Sequence, residues 1–454
     1  MLRSLLAIQR RIRWRRAPAR YARDTRGNFT IMFALAAPVL IVFIGMGIDY
    51  KTALSDKSRM DTAADAATIA AVNTAKAFFA ANSGSLSGSA LSNAAIAVGI
   101  AQGDKVFAAD KGPTLLVAPV TPVLTMTYSN LTFNSSVTWS GQVATHFGGL
   151  VGITNIAISG ASAATAALPK YLDFYVVVDT SGSMGIPTSS ADQELLMASN
   201  PDNAIEEANG YVGGCQFACH FVGYGGFNYT QTNNIPLKLN SVGASLQALL
   251  STATSTAVIV NQFRIGIFPF IVDAIRAAPL SANFTAANTV AGNLANYLDQ
   301  GTSNSGMGSG GTHFENLWPD VNPYMNAAGT GFSSSSTLPF IILITDGVDN
   351  NQTYSPFTGS QVQIPSTTFC ANAKSAGYTV AVLLIPYVPI VDPEHIWNDE
   401  DYVVNNLINT NSIAPVMQTC ASSGYFFQAA TAAQINSAML QIFYQAVGAA
   451  RLTQ

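Results

Sequence analysis

The chain has 454 residues, enough for two or three domains at roughly 150 residues each. Apolar residues make up 49% and charged residues 10%, against about 25% charged in an ordinary soluble chain. This excludes a disordered or coiled-coil protein, and four cysteines are too few for a disulfide-built miniprotein. The net charge of −4 is unevenly spread: residues 1–26 carry nine Arg and one Asp (+8), residues 27–169 carry six groups of each sign, and residues 170–454 carry six basic and eighteen acidic groups (−12). A large domain at −12 is a poor nucleic-acid binder, because phosphates must be neutralised by Lys and Arg.

The basic leader ends at Gly27, and Phe29–Ile48 follows as twenty residues without a charge. At 1.5 Å per residue this run is about 30 Å long, the thickness of a bilayer core. TVAVLLIPYVPIV from Thr379 is shorter and broken by two prolines. A cleaved signal peptide is disfavoured, since the run exceeds a normal h-region and no small-x-small site precedes Asp49. Pro38 is tolerable within lipid. Nine Arg before the span, against Lys51, Lys57 and Arg59 after it, predict a cytoplasmic N-terminus. The bulk of the chain is then expected outside the inner membrane of a bacterial cell, periplasmic or extracellular. The expected layout is a leader at 1–27, a transmembrane helix at 28–50, a helix-plus-β region at 51–168 and a larger domain at 169–454.

Gly27-Asn28-Phe29, the aliphatic run with Pro38, then Asp49-Tyr50 and the AADAA segment at 63–67 form a pattern within residues 22–80. It resembles the N-terminal segment of TadE/TadG-like proteins of Flp-type pilus assembly. Pilins cut by prepilin peptidase carry a Glu five residues after the cleaved Gly; here that position is Met32, so the span is expected to stay as an anchor. Asp49 to about Ala80 reads as a helix, Ala81–Leu91 as a Ser/Gly linker, and Asp104–Ala167 as β-like with turns between runs. The resemblance implies a pilin-like helix followed by a small sheet; a polar stalk with weak hairpins is the plainer alternative.

Beyond Leu168-Pro169 the pattern changes. Tyr171–Asp179, RIGIFPFIV from Arg264, PFIILIT from Pro339 and TVAVLLI from Thr379 are continuous apolar runs, as strands buried on both faces require. Leu239, Val242, Leu246, Leu249 and Leu250 repeat at helical spacing. The C-terminal helix opens with a capping pair, Thr431 and Gln434, and gathers Ile435, Met439, Ile442 and Phe443 on one side. Alternating strands and helices predict an α/β fold with a doubly wound, mostly parallel sheet, in which binding groups collect at the carboxyl ends of strands.

Asp179, Ser181 and Ser183 (DTSGS) directly follow the first strand, Asp346 (TDG) ends a later one, and Thr312 lies in the glycine-rich loop between them. Two carboxylates and three hydroxyls are hard oxygen ligands of the kind Mg²⁺ takes. No Lys or Arg occurs from Tyr171 to Leu237 or from Ala277 to Ala373. Converging carboxylates without a local counter-charge must gain a proton or a cation. Alone, DTSGSM reads as a Ser/Gly turn and TDG as an ordinary one; Met184 and the glycines read as loop geometry.

In order and at strand ends, these residues resemble the metal-ion-dependent adhesion site of von Willebrand factor A domains, over about 171–450. Asp179, Ser181 and Ser183 match the D-x-S-x-S motif, Thr312 the threonine of the second loop (Thr302, Thr330 and Thr337 being alternatives), and Asp346 the aspartate after the fourth strand. The resemblance implies bound Mg²⁺ (or Mn²⁺) whose open position accepts a carboxylate from a protein partner. An insertion at about 186–236 departs from the family, where a helix starts soon after the motif.

A haloacid-dehalogenase-type phosphatase needs a second Asp where Ser181 stands, and GTSNSGMGSGGT lacks the G-K-[ST] ending of a phosphate-binding loop. A Ser nucleophile needs a base; of four His, only His313 adjoins the site, and a lone loop His is ordinarily solvated. An enzyme is therefore not expected. Cys215, Cys219, Cys370 and Cys420 on the oxidising side predict two disulfides, with nearest neighbours giving Cys215–Cys219 and Cys370–Cys420; haem or zinc at CQFACH is disfavoured by its three-residue gap. The expectation is a non-enzymatic, membrane-anchored Flp-type pilus-assembly or adhesion protein. The alternatives are a structural pseudopilin-like component with a merely stabilising metal, and, more remotely, a metal-dependent hydrolase.

Overall fold

The computed structural model describes residues 28–198, 222–223, 225–300, 306–354, 357–358, 362–387 and 400–452. The basic leader and Cys215 and Cys219 lie outside the described residues. The chain divides into two compact units, one of residues up to 79 plus 87–166, the other of 80–86 plus 167–454.

In the first unit, α1 (Asn28–Asn82) runs unbroken for 55 residues through the apolar span and beyond it. Phe29, Ile31, Leu35, Ile41 and Ile44 are each more than half exposed, whereas Met60, Ala63, Ala64, Ala67, Ala71 and Ala75 are fully buried. The spacing of three and four residues in the second set gives the helix a single packed stripe. The expected linker shrinks to a short turn, because α2 (Gly88–Asp110) starts inside it. Gly99 and Gly103 lower the helical propensity of α2 but let it approach α1: a Cβ on Gly99 would lie 2.7 Å from the Ala71 carbonyl oxygen. Strand structure begins later than Asp104 because that end is still helix and Pro113, Pro119 and Pro122 interrupt the next stretch. Strands β1 (Val123–Ser129), β2 (Thr132–Ala144) and β3 (Asn155–Ala167) then form an antiparallel sheet in the order 1-2-3. Phe107, Val137, Trp139, Val143 and Ile158 join the buried stripe of α1 in one apolar cluster.

Carboxylates of the AADAA and DY segments tie α1 to its unit. Asp49 accepts the backbone N–H groups of His146, Phe147 and Gly148 at 3.0, 2.8 and 2.8 Å. Asp65 accepts the Ser162 hydroxyl at 2.6 Å.

The second unit is built on β4 (Leu172–Asp179), α3 (Lys238–Thr256), β5 (Phe263–Phe270), β6 (Ala278–Ser281), β7 (Leu338–Thr345), α4 (Thr368–Ser375), β8 (Thr379–Leu384), α5 (Ile413–Cys420), β9 (Phe426–Gln428) and α6 (Ala432–Leu452). The sheet order is β9-β8-β7-β4-β5-β6, parallel throughout except for the edge strand β6. This is the doubly wound sheet that the von Willebrand A resemblance implies. Every residue of β4 is buried, as its continuous apolar run requires. Two apolar layers cover the faces, one including α3 and α6, the other including α4 and α5. Thr431 and Gln434 cap α6 reciprocally, with Gln434 N–H donating to Thr431 Oγ1 and Thr431 N–H donating to Gln434 Oε1. Cys370 and Cys420 form a disulfide joining α4 to α5.

Of the insertion, short helices at Ser190–Ala198 and Gly225–Thr232 are described. Its base is closed by a Pro187–Leu237 bridge and by Lys238 N–H donating to the Ile186 carbonyl at 2.9 Å. The chain thus leaves and re-enters at one point, and α3 starts beside the DTSGS turn despite the intervening residues.

Candidate metal centre

Strand order reverses between β4 and β7, since the chain builds outward through β5 and β6 on one side and through β8 and β9 on the other. Loops diverge at such a point and leave a crevice at the carboxyl ends of the strands. Asp179 is the last residue of β4, and Asp346 follows the last residue of β7. Both are wholly buried.

Hydroxyls surround Asp179. Its Oδ1 accepts Ser181 N–H at 3.0 Å and Ser181 Oγ–H at 2.6 Å, while Oδ2 accepts Thr345 Oγ1–H at 2.7 Å. Thr345 Oγ1 in turn accepts Gly347 N–H at 2.9 Å. The Ser181 and Ser183 hydroxyl oxygens lie 3.1 Å apart, so Ser183, with the Ser181 proton turned to Asp179, donates to Ser181. Burial first, and the Asp346 charge second, push the Asp179 carboxyl above its ordinary range; the bonds from Ser181 and Thr345 oppose this only in part.

Asp346 carries the main correction to the sequence reading. The cluster was expected to lack a built-in cation, yet Lys238 Nζ donates to Asp346 Oδ2 at 3.1 Å, with Lys238 only 2% exposed. Lys238 is the first residue after the stretch without Lys or Arg, and closure of the insertion base brings it back to the strand ends. Its ammonium also lies 4.7 Å from the Tyr387 ring centroid, a cation–π contact. Asp346 Oδ1 is buried with no hydrogen-bond partner among the described residues. With both carboxylates ionised, the group still carries one negative charge in excess, which a proton or a further cation would neutralise.

Thr312 is buried and fixed by its backbone, exchanging N–H and C=O bonds with Asn350 at 2.9 and 3.1 Å. Among the described residues its hydroxyl makes no hydrogen bond to Asp179, Ser181, Ser183 or Asp346. The glycine-rich loop is nonetheless held against the DTSGS turn. Asp299 N–H donates to the Thr180 carbonyl at 3.0 Å, and the Asp299 carboxylate accepts Ser309 Oγ–H and Gly310 N–H. His313 is buried rather than solvated. Its Nδ1 bonds Glu315 Oε1 at 2.8 Å and its Nε2 the Gln352 carbonyl at 2.9 Å, so both ring nitrogens are engaged.

The donors suit a hard divalent ion in kind: two neighbouring hydroxyls and a buried carboxylate oxygen that no described residue hydrogen-bonds. Lys238 lowers the charge the ion would meet without covering that oxygen. Sequence reasoning missed Lys238, Thr345 and Asp299. Thr345 was legible as the Thr of TDG itself, whereas Lys238 and Asp299 carry no local motif.

Residues 27–77 match the Tad family model, Flp pilus-assembly TadE/G-like. This N-terminal segment is therefore TadE/G-like, and the chain is membrane-anchored through α1. No curated protein matches the sequence. Solved structures similar to this chain include the pilus adhesin SpaC from Lactobacillus rhamnosus GG in its open conformation, 13% identical with a TM-score of 0.35 over 72% of this chain and 34% of that one. The PilB minor pilin from Streptococcus sanguinis is 12% identical, with a TM-score of 0.34 over 74% of this chain and 80% of its own. The von Willebrand factor domain of the type V pili tip protein Mfa5 from Porphyromonas gingivalis is 13% identical, with a TM-score of 0.35 over 62% of this chain and 96% of its own. The chain spans about a third of the SpaC chain. At these scores the likeness adds nothing to the topology read from the strands themselves.

Proposed function

We propose that this protein is a non-enzymatic component of Flp-type pilus assembly or of adhesion linked to it. In this reading α1 spans the inner membrane, with the leader cytoplasmic and both folded units on the far side. The α/β unit binds a protein partner at the carboxyl ends of β4 and β7. The observation that supports this reading is the placement of Asp179, Ser181, Ser183 and Asp346 at the sheet's switch point in a chain whose anchor segment is TadE/G-like.

Mg²⁺ (or Mn²⁺) would be held by the Ser181 and Ser183 hydroxyls and by Asp346, with Asp179 orienting the hydroxyls and Thr312 supplied by the adjoining loop. The ion, when bound, supplies a Lewis-acidic position for a partner's carboxylate. The chain's own contribution is to turn the Ser181 proton toward Asp179, leaving hydroxyl lone pairs for the ion. The acidic unit, at −12, draws an anionic partner only through such a cation.

A second reading is favoured by Lys238: the ammonium is the resident cation, and the cluster is a structural lock in a pseudopilin-like component. Strains carrying Asp179→Ala separate the two. Metal-dependent capture requires normal export, loss of Mn²⁺ binding by the purified protein and fewer assembled pili. Full pilus assembly despite lost Mn²⁺ binding would overturn it in favour of the lock.

A further inference from the structure

The turn between β2 and β3 packs against the membrane helix within its apolar run. A Cβ on Gly45 would run into the Phe147 ring, and Asp49, one helical turn further on, accepts the backbone N–H groups of residues 146–148. Gly45 lies three residues, about 4.5 Å of helix rise, inside the Phe29–Ile48 stretch, and the Phe147 ring lies against it. Beside it, Leu150, Val151 and Ile153 are 70%, 54% and 50% exposed. No Asp, Glu, Lys or Arg occurs between Lys111 and Lys170.

Seven of the nine backbone N–H groups of residues 145–153 have acceptors within the protein. The N–H groups of His146, Phe147 and Gly148 go to Asp49, that of Thr145 to the Thr154 carbonyl, Leu150 to Phe147, Gly152 to Gly149 and Ile153 to Gly148. Gly152, at φ +84°, closes the turn where a side chain would be strained. Non-helical backbone enters lipid only when its polar groups are satisfied internally.

We infer that residues 147–153 form a second membrane contact, an apolar wedge inserted into the leaflet on the side of the folded units, with Leu150, Val151 and Ile153 among the acyl chains. The occupant is lipid because the wedge is continuous with the anchor's own lipid-facing surface, and a depth of about 5–10 Å is that of interfacial elements. The wedge and Gly45 together fix the angle at which α1 leaves the bilayer. This inference rests on α1 spanning the membrane.

Photocrosslinking of the full chain in phosphatidylethanolamine–phosphatidylglycerol nanodiscs tests it, with p-benzoylphenylalanine placed singly at positions 35, 150, 151 and 129. Position 35 lies in the span; position 129, at the far tip of the β1–β2 hairpin, is the water-side control. The expected result is a phospholipid adduct by mass spectrometry at 35 and at 150 or 151, with at least ten-fold less at 129. Adducts at 35 but at neither 150 nor 151, or an equal yield at 129, would overturn the wedge while leaving the anchor intact. Absence at every position would overturn both. Two loop positions guard against one label disturbing the turn.

Discussion

Lys238 and Asp346 are 108 residues apart in sequence, and their buried side chains meet at 3.1 Å. Removing one partner of such a pair leaves the other as an uncompensated buried charge and costs about 3–5 kcal/mol. Lys238→Met should therefore lower the denaturant midpoint in EDTA. Mn²⁺ should restore stability, and the variant should bind Mn²⁺ at least ten-fold more tightly than wild type by electron paramagnetic titration. Equal affinity in the two proteins would show that the ammonium does not compete with the ion.

Asp179→Asn separates charge from shape. The amide keeps an oxygen for Ser181 and removes one of two mutually repelling carboxylates. In EDTA the variant should melt at or above wild type, whereas Mn²⁺ should no longer raise its melting temperature. A fall of more than a few degrees without metal would mean that the hydrogen bonds from Ser181 and Thr345 outweigh the repulsion.

Asp349 gives a pH signature. Burial, and after it the Glu315 charge, push its carboxyl up to about 6. A carboxyl raised in the folded state binds more protons there than in the unfolded chain, so its stability contribution is present below about pH 4 and lost as pH rises through about 6. Asp349→Asn should flatten the stability profile across that window, by an amount on the order of 1 kcal/mol. A wild-type profile already flat from pH 4 to 7 would contradict the burial argument.

The Cys370–Cys420 disulfide closes a loop of 50 residues. Chain entropy assigns such a closure about 4 kcal/mol. The double Ser variant should lose on the order of that stability in urea while keeping its far-ultraviolet circular dichroism, because Phe369 of α4 and Met417 of α5 are both buried in the apolar layer on that face of the sheet.

Asp49→Ala would strand three amides beside the anchor, at about 1–3 kcal/mol for each group left buried. Accelerated hydrogen exchange confined to residues 146–153 is the expected outcome. Unchanged exchange there would show that the amides find other partners.

Strands β4, β5, β7 and β8 were legible because each is a short continuous apolar run, as burial on both faces requires. The Phe29–Ile48 span was legible for a similar reason, since twenty uncharged residues have few uses in water. Helix α2 was not, because Ala, Gly and Ser spread its signal evenly and Gly99 and Gly103 act only through close contact with α1 and β1. At the site, Asp179, Ser181, Ser183 and Asp346 announced themselves by strand-end position, a property of the local chain.

Sequence alone thus determined the anchor, the α/β alternation and which oxygen-bearing residues stand at strand ends, because hydrophobic period and turn chemistry act over a few neighbours. Tertiary structure alone decided that Lys238 neutralises Asp346 and that Phe147 lies against Gly45. Both are meetings of residues about a hundred positions apart, brought together by closure of an insertion in one case and by return of an antiparallel sheet in the other. Charge compensation depends on distance in space, and no count of Lys and Arg along a segment records it.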